Sequence, residues 1–396
     1  MSDISRAYIR LAHQIEQHQP GYIDSYYGPK SWIQGIKKRS LSDLKREADQ
    51  LASEVQKMKE EARRLFLAAQ VRAMQTSIAL LQGEKISYID EVYLLYDVKP
   101  QPISESQFDD AIAKLDELLP GKGDIATREQ AFRQSFEVPA ERLPMVLNAI
   151  VSALAYRTRR LFRLPSHESF DVQYVKNQPW SAYNWYLGRY RSRIDINTDL
   201  PSHLNTLPDL VAHEAYPGHH TEHVIKEQRL WQAKQRGEHS ILLINAPECV
   251  VSEGIATHAR RIVINDVEVR NWMVYDLVAR TQLKGVNVEA MLALRRAKQA
   301  LGAVSSNAAL LYHQDGASKK EVLAYIQRYG LRSAKEADKS FDFLTHPNFR
   351  SYLFTYRVGS QLLEQLFQKG DSIQWFTRLL TEPITPSIIR GWIASE

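Results

Sequence analysis

The chain of 396 residues has a single cysteine, Cys249, which excludes an intrachain disulfide and any cysteine-rich zinc or iron–sulfur site. Long apolar runs are also missing. Ile241 to Ala246 is among the most apolar stretches and falls far short of the ~20 residues that cross a bilayer. The opening Met1-Ser2-Asp3-Ile4-Ser5-Arg6 lacks the apolar core of a signal peptide and runs straight into an amphipathic pattern carrying Arg10, His13 and Glu16. A cytoplasmic protein without a membrane partner is therefore expected. No charge of one sign dominates. Lys and Arg number 51 against 46 Asp and Glu, a net +5, and this scattered balance does not suggest nucleic acid as a partner. Internal repeats and low-complexity linkers are absent.

What is present is the composition of an ordinary globular protein, 44% apolar and 24% charged, on a chain long enough to bury a deep core. The expected fold class is mainly α. One mostly helical domain spans 1–396, with 1–163 as an N-terminal helical part and 164–396 carrying the site. Ile4, Tyr8, Leu11 and Ile15 mark one helical face, ended by Pro20-Gly21. Ser40 with Asp43 opens a second helix, and a third runs from Ala62 through Ile78 to Gly83. Ser104-x-x-Gln107 and Ser318-x-x-Glu321 read as capping boxes. Further helices are expected over 141–163 and near 207–235, 248–267, 268–302, 304–315, 351–369 and 371–380. Tyr88 to Val98, rich in Tyr, Val and Ile, suggests a strand or hairpin arm. Residues 165–205, with Pro165, Pro179, Pro201 and β-favouring runs such as Asp171 to Val175 and Arg193 to Asn197, suggest a short sheet or hairpin among the helices.

The chemistry concentrates in Val211-Ala212-His213-Glu214-Ala215-Tyr216-Pro217-Gly218-His219-His220. A His-Glu pair in a helix with a second His about one turn later is the arrangement that binds zinc and supplies a general base. Two neutral imidazoles and a carboxylate hold the metal, which acidifies a bound water towards ~7, and a non-ligating glutamate takes its proton. That glutamate is Glu214. The spacing departs from four residues, because Pro217 occupies the position where the second His would fall. On an unbroken helix His219 would sit about 240° from His213, and His220 about 10.5 Å along the axis. Pro217 and Gly218 make a two-residue bulge or kink reasonable, which brings His219 to the ligand position with His213. His220 is then a hydrogen-bonding neighbour or the alternative ligand. The best candidate for the third ligand is Glu253, a carboxylate in the apolar, small run Val251-Ser252-Glu253-Gly254-Ile255-Ala256, where a metal would offset its burial. Glu248 and His258 compete for that role. Cys249 reads as a small buried residue.

The motif His213 to His220, preceded by Ile196-Asn197-Thr198-Asp199-Leu200-Pro201 and followed by Ser252 to Ala256, resembles the bacterial family called domain of unknown function 885. Asp24-Ser25-Tyr26-Tyr27-Gly28-Pro29 and Ser351-Tyr352 to Tyr356-Arg357-Val358-Gly359 match as well. That family is placed among zincin-like metallopeptidases of the gluzincin type, distant relatives of helical carboxypeptidases. The resemblance implies a multi-helix fold with a small sheet beside the active-site helix, zinc on His213, His219 and Glu253, Glu214 as base, and Tyr356 steadying the oxyanion, with Arg357 a weaker candidate. It also implies that a strand within 171–197 holds the substrate backbone. The expected function is a zinc-dependent hydrolase cleaving peptides. Arg189, Arg191 and Arg193 alternate along one strand face, either receiving a substrate carboxylate, as in a carboxypeptidase, or remaining solvated. The rival readings are a zinc amidase or deacylase on a small amide, and a non-catalytic metal-binding helical module.

Overall fold

The computed structural model describes residues 3–178 and 180–395; Met1, Ser2, Pro179 and Glu396 lie outside them. The architecture is mainly helical, with two small sheets. Side-chain caps start many of the helices. Ser40 accepts from the Asp43 amide to open Leu41–Gln56, and Ser318 with Glu321 forms the reciprocal box that opens Lys319–Gly330. Ser104 makes no such bond, and its hydroxyl pairs with Ser106 instead. The helix Glu105–Leu118 forms all the same, held by the buried face of Phe108, Ala111 and Leu115.

The stretch expected to be a strand near Tyr88 is a helix, Tyr88–Tyr96. Ser87 caps it by accepting from the Asp90 amide, and Tyr88, Val92, Leu95 and Tyr96 bury one face. Their spacing of four, three and one is helical, and it outweighs the β-favouring side chains. The expected helix over 268–302 is a series of pieces, Asp266–Trp272, Val278–Thr281 and Val288–Lys298 among them, each of the first and last opened by an asparagine cap. A C-terminal helix, Pro386–Ser395, was not foreseen.

Five strands make the two sheets: β1 (Ile23–Tyr26), β2 (Ser169–Val175), β3 (Ala182–Gly188), β4 (Arg191–Asn197) and β5 (Ile241–Leu243). β1 and β5 pair antiparallel, a sheet the sequence did not suggest. In the other sheet β4 is central, parallel to β2 and antiparallel to β3, as expected of a short sheet among helices. Arg189 and Tyr190, both with positive φ, turn β3 into β4.

Four large apolar clusters organise the interior, and the helix Pro247–Val263 joins three of them. It presents Val250 to one, Val251 and Ile255 to the next and Ala259 to the third. A helix packed on so many sides has almost no solvent face, so the carboxylate of Glu253 on it is buried at 4% exposure. Against it packs Phe354–Phe367 at very close range. A Cβ on Gly359 would sit 2.2 Å from the Val250 carbonyl, and one on Gly254 would sit 2.8 Å from the Gly359 carbonyl. The two glycines therefore fix the approach of these helices.

Candidate metal centre

The motif helix Leu207–Glu214 starts with Pro208 in its first turn and stops at Glu214. The break covers four residues rather than the expected two. Ala215 leaves the helical region (φ −114°, ψ −94°), the Tyr216–Pro217 bond is cis, and a new helix, His219–Lys226, begins after Gly218. Gly218 has an ordinary φ of −75°, so it is not positive φ that requires glycine. Its backbone folds back on the preceding turn, with its N–H donating 2.9 Å to the Ala212 carbonyl. A Cβ there would lie 2.0 Å from the His213 carbonyl oxygen. This fold-back carries His219 beside His213, their rings perpendicular with centroids 4.7 Å apart.

His213, His219 and Glu253 come together, with ligand atoms all within 4.8 Å of one another. Glu253 Oε2 lies 3.3 Å from His213 Nε2 and 3.9 Å from His219 Nε2. Four ligands at ~2.0–2.1 Å from a tetrahedral zinc stand about 3.3 Å apart, so small adjustments suffice. Ser252 sets the tautomer of His219. Its hydroxyl donates its only proton to Glu222 at 2.6 Å, so at 3.1 Å from His219 Nδ1 it can only accept. Nδ1 then carries a hydrogen, which leaves Nε2 as the nitrogen available to a metal. On the other side, the Tyr352 hydroxyl donates to Glu253 Oε1 at 2.6 Å and leaves Oε2 buried without a hydrogen-bond partner. An orphaned buried carboxylate oxygen facing two imidazole nitrogens is the donor set a divalent cation completes.

The electrostatics agree with that fit. Burial opposes charge on His219, but Glu222, Glu253 and Glu214 outweigh it and lift its pKa to about 9, so without a metal the ring carries a second proton on Nε2 that a cation would displace. Burial pushes the Glu214 carboxyl above its ordinary value, against the pull of His213 and His219. Glu214 is 7% exposed, and the side chain of Asn184 on β3 holds its backbone carbonyl at 2.6 Å.

The competing ligand assignments fall elsewhere. His220 is fully buried and uses both nitrogens, Nδ1 with Ser192 and Nε2 with Glu168, each at 2.8 Å. Glu248 pairs with Lys226 at 2.9 Å, and His258 bonds to the Ser360 carbonyl. The Cys249 thiol donates to the Leu243 carbonyl, and burial pushes its pKa up.

A cavity of ≈ 170 Å³ opens on the cluster. His213, His219, Glu253 and Glu214 line it, and so does Tyr356, 43% exposed at its rim. Arg357 points to the Gln101 carbonyl instead. Among the described residues, Arg189, Arg191 and Arg193 line no part of this cavity. Arg193 pairs with Asp195 and lies over Trp185.

No family model matches the chain, and no curated protein matches it. Solved structures do. A "putative lipoprotein" from Colwellia psychrerythraea superposes with a TM-score of 0.54 at 14% identity, covering 92% of this chain and 69% of that one. A "putative lipoprotein of unknown function" from Shewanella oneidensis gives 0.47 at 13% identity, covering 98% and 77%. The first likeness is one of fold alone. Among the described residues no helix is long and apolar enough to cross a membrane.

Sequence reasoning missed Asp24, Asn184, Glu222, Ser252 and Tyr352 as parts of this site. Asp24 and Tyr352 lie inside the segments that carry the family resemblance, which assigns them no role. Ser252 was legible only as the neighbour of Glu253.

Proposed function

We propose that this protein is a zinc-dependent hydrolase, a zincin-like metallopeptidase acting on short peptides. The observation that supports it most is the meeting of His213, His219 and Glu253, from three helices, beside the buried carboxyl of Glu214. These three side chains would hold the metal, which when bound supplies a Lewis acid for the scissile carbonyl and acidifies water. Glu214 takes the proton of the attacking water and returns it to the leaving amine. Its raised pKa suits both halves of that transfer. Tyr356, at the cavity rim, donates to the developing oxyanion. β3 is an edge of its sheet, and its Ala182, Tyr183 and Asn184 line the cavity, so an extended substrate can pair along that end. The cavity volume is small against the ~300–1,000 Å³ of drug-sized sites, which favours short chains. It equally favours a second reading, an amidase acting on a small acylated molecule.

The test is turnover of a library that mixes short peptides with acylated small molecules. Glu214→Gln should keep bound zinc and lower hydrolysis by roughly 10²–10⁴-fold, whereas His213→Ala should lose the metal. Full activity of Glu214→Gln on a substrate that the parent cleaves would contradict the assignment of the base.

A further inference from the structure

The charged side chains of the cavity are unbalanced. Among its described lining residues there is no Lys or Arg, while Asp24, Glu214, Glu222, Glu248 and Glu253 all contribute. Four of these carboxylates have an assigned partner or role. Glu222 and Glu248 share Lys226 from behind the wall at 2.8 and 2.9 Å, Glu253 faces the two histidines, and Glu214 is the base. Asp24 is left over. Among the described residues no Lys, Arg or His nitrogen lies within 4.0 Å of it, and its partner is the neutral hydroxyl of Tyr183.

Asn184 supplies an independent sign. It lines the same cavity at 7% exposure, its Nδ2 is committed to the Glu214 carbonyl, and its Oδ1 has no partner. A buried acceptor without a donor costs free energy that a ligand N–H would recover. Trp180, Tyr183, Phe349 and Tyr352 line the same cavity, and aromatic rings are compatible with a cationic ligand. Burial and the nearby Glu253 lift the Asp24 carboxyl to about 6, against the hydrogen bond from Tyr183 and the pull of His219.

We infer that Asp24, with Tyr183 and the Asn184 side-chain carbonyl, forms a subsite for a primary ammonium, so that the substrate enters with a free amino group rather than a free carboxylate. This rests on the hydrolase reading for its consequence, which is removal of residues from the amino end of a peptide. The arginine face that would have favoured the carboxyl end lies outside the cavity.

The test is calorimetric titration of the zinc-loaded protein with three probes: L-phenylalaninamide, N-acetyl-L-phenylalaninamide and N-acetyl-L-phenylalanine. The free amine should bind at least tenfold more tightly than its acetylated form. Asp24→Asn should reduce that preference to within twofold, and Asp24→Glu should keep most of it. Equal binding of the first two probes, tighter binding of the carboxylate probe, no binding of any, or an unchanged preference in Asp24→Asn would each overturn the inference. If Asp24→Asn does not fold, the same comparison on the parent protein stripped of zinc by a chelator decides, because there the amine has no metal to coordinate, and an equal affinity of the first two probes overturns the inference. Turnover separates the two readings. An amine preference with neither peptides nor acylated small molecules hydrolysed would leave the subsite standing and remove the hydrolase. Acetylated and free peptides cleaved equally would do the reverse.

Discussion

Tyr352 and Ser252 decide how the three ligand atoms face one another. Tyr352 holds one oxygen of Glu253 and leaves the other to the histidines, and Ser252, by donating to Glu222, fixes Nε2 as the nitrogen of His219 left for a metal. Partners of this kind are worth about 10–100-fold in metal affinity. Tyr352→Phe should therefore weaken zinc binding by about that factor with the helical content unchanged, measured by competition with a chelator of known affinity. An affinity equal to the parent's would show that Glu253 is oriented by its helix alone.

At the scale of elements, glycine without a Cβ is what the site's backbone needs at two places. Gly218→Ala would drive a methyl into the His213 carbonyl, and Gly359→Ala would drive one into the Val250 carbonyl. Each should destabilise the protein by about 3 kcal/mol, read from urea unfolding midpoints. Gly391 in the helix Pro386–Ser395 meets nothing within 4 Å. There the same substitution should stabilise by about 0.5–1 kcal/mol. If Gly218→Ala behaved like Gly391→Ala, the fold-back after Glu214 would not be as tight as described.

Much of this element plan can be read from the chain. The caps at Ser40 and Ser318, the stop before Pro120-Gly121 and the β-rich insert after residue 165 follow from local chemistry that tertiary contacts reinforce. The helix at Tyr88 escapes because its aromatic and branched residues are β-formers, and burial of a helical stripe outweighs that preference. The pairing of β1 with β5 escapes because strands 215 residues apart leave no local signal. His213, Glu214, His219 and Glu253 were legible because the motif chemistry demands those types in order. The distortion that joins them was legible only as a need, since the four-residue break depends on how Gly218 packs back on Ala212. Asp24 was invisible as a site residue because it reaches the cavity from a strand near the other end of the chain.

On the scale of the whole molecule, the buried helix Pro247–Val263 links the apolar clusters to the candidate metal centre, so occupancy and global stability should be coupled. Zinc binding to the folded state alone should raise the unfolding temperature, by an amount that grows with free zinc. Buried imidazoles add a pH dependence. His239 is 3% exposed with neither ring nitrogen hydrogen-bonded, and burial lowers its pKa to about 4. The unfolded chain binds the proton near 6.5 and the folded one does not, so stability falls as pH drops from about 6.5 towards 4. His239→Asn should lose about 2 kcal/mol less than the parent between pH 7 and pH 5, measured by denaturant unfolding of both zinc-loaded proteins. Parallel pH profiles would show that His239 takes up its proton in the folded state.

The most direct measurement is anomalous diffraction at the zinc edge from crystals grown with excess zinc. One full-occupancy peak is predicted between His213 Nε2, His219 Nε2 and a Glu253 carboxylate oxygen, with Glu214 outside bonding distance. No peak at that position, with the three donors turned away from one another, would contradict a metal centre and the hydrolase built on it.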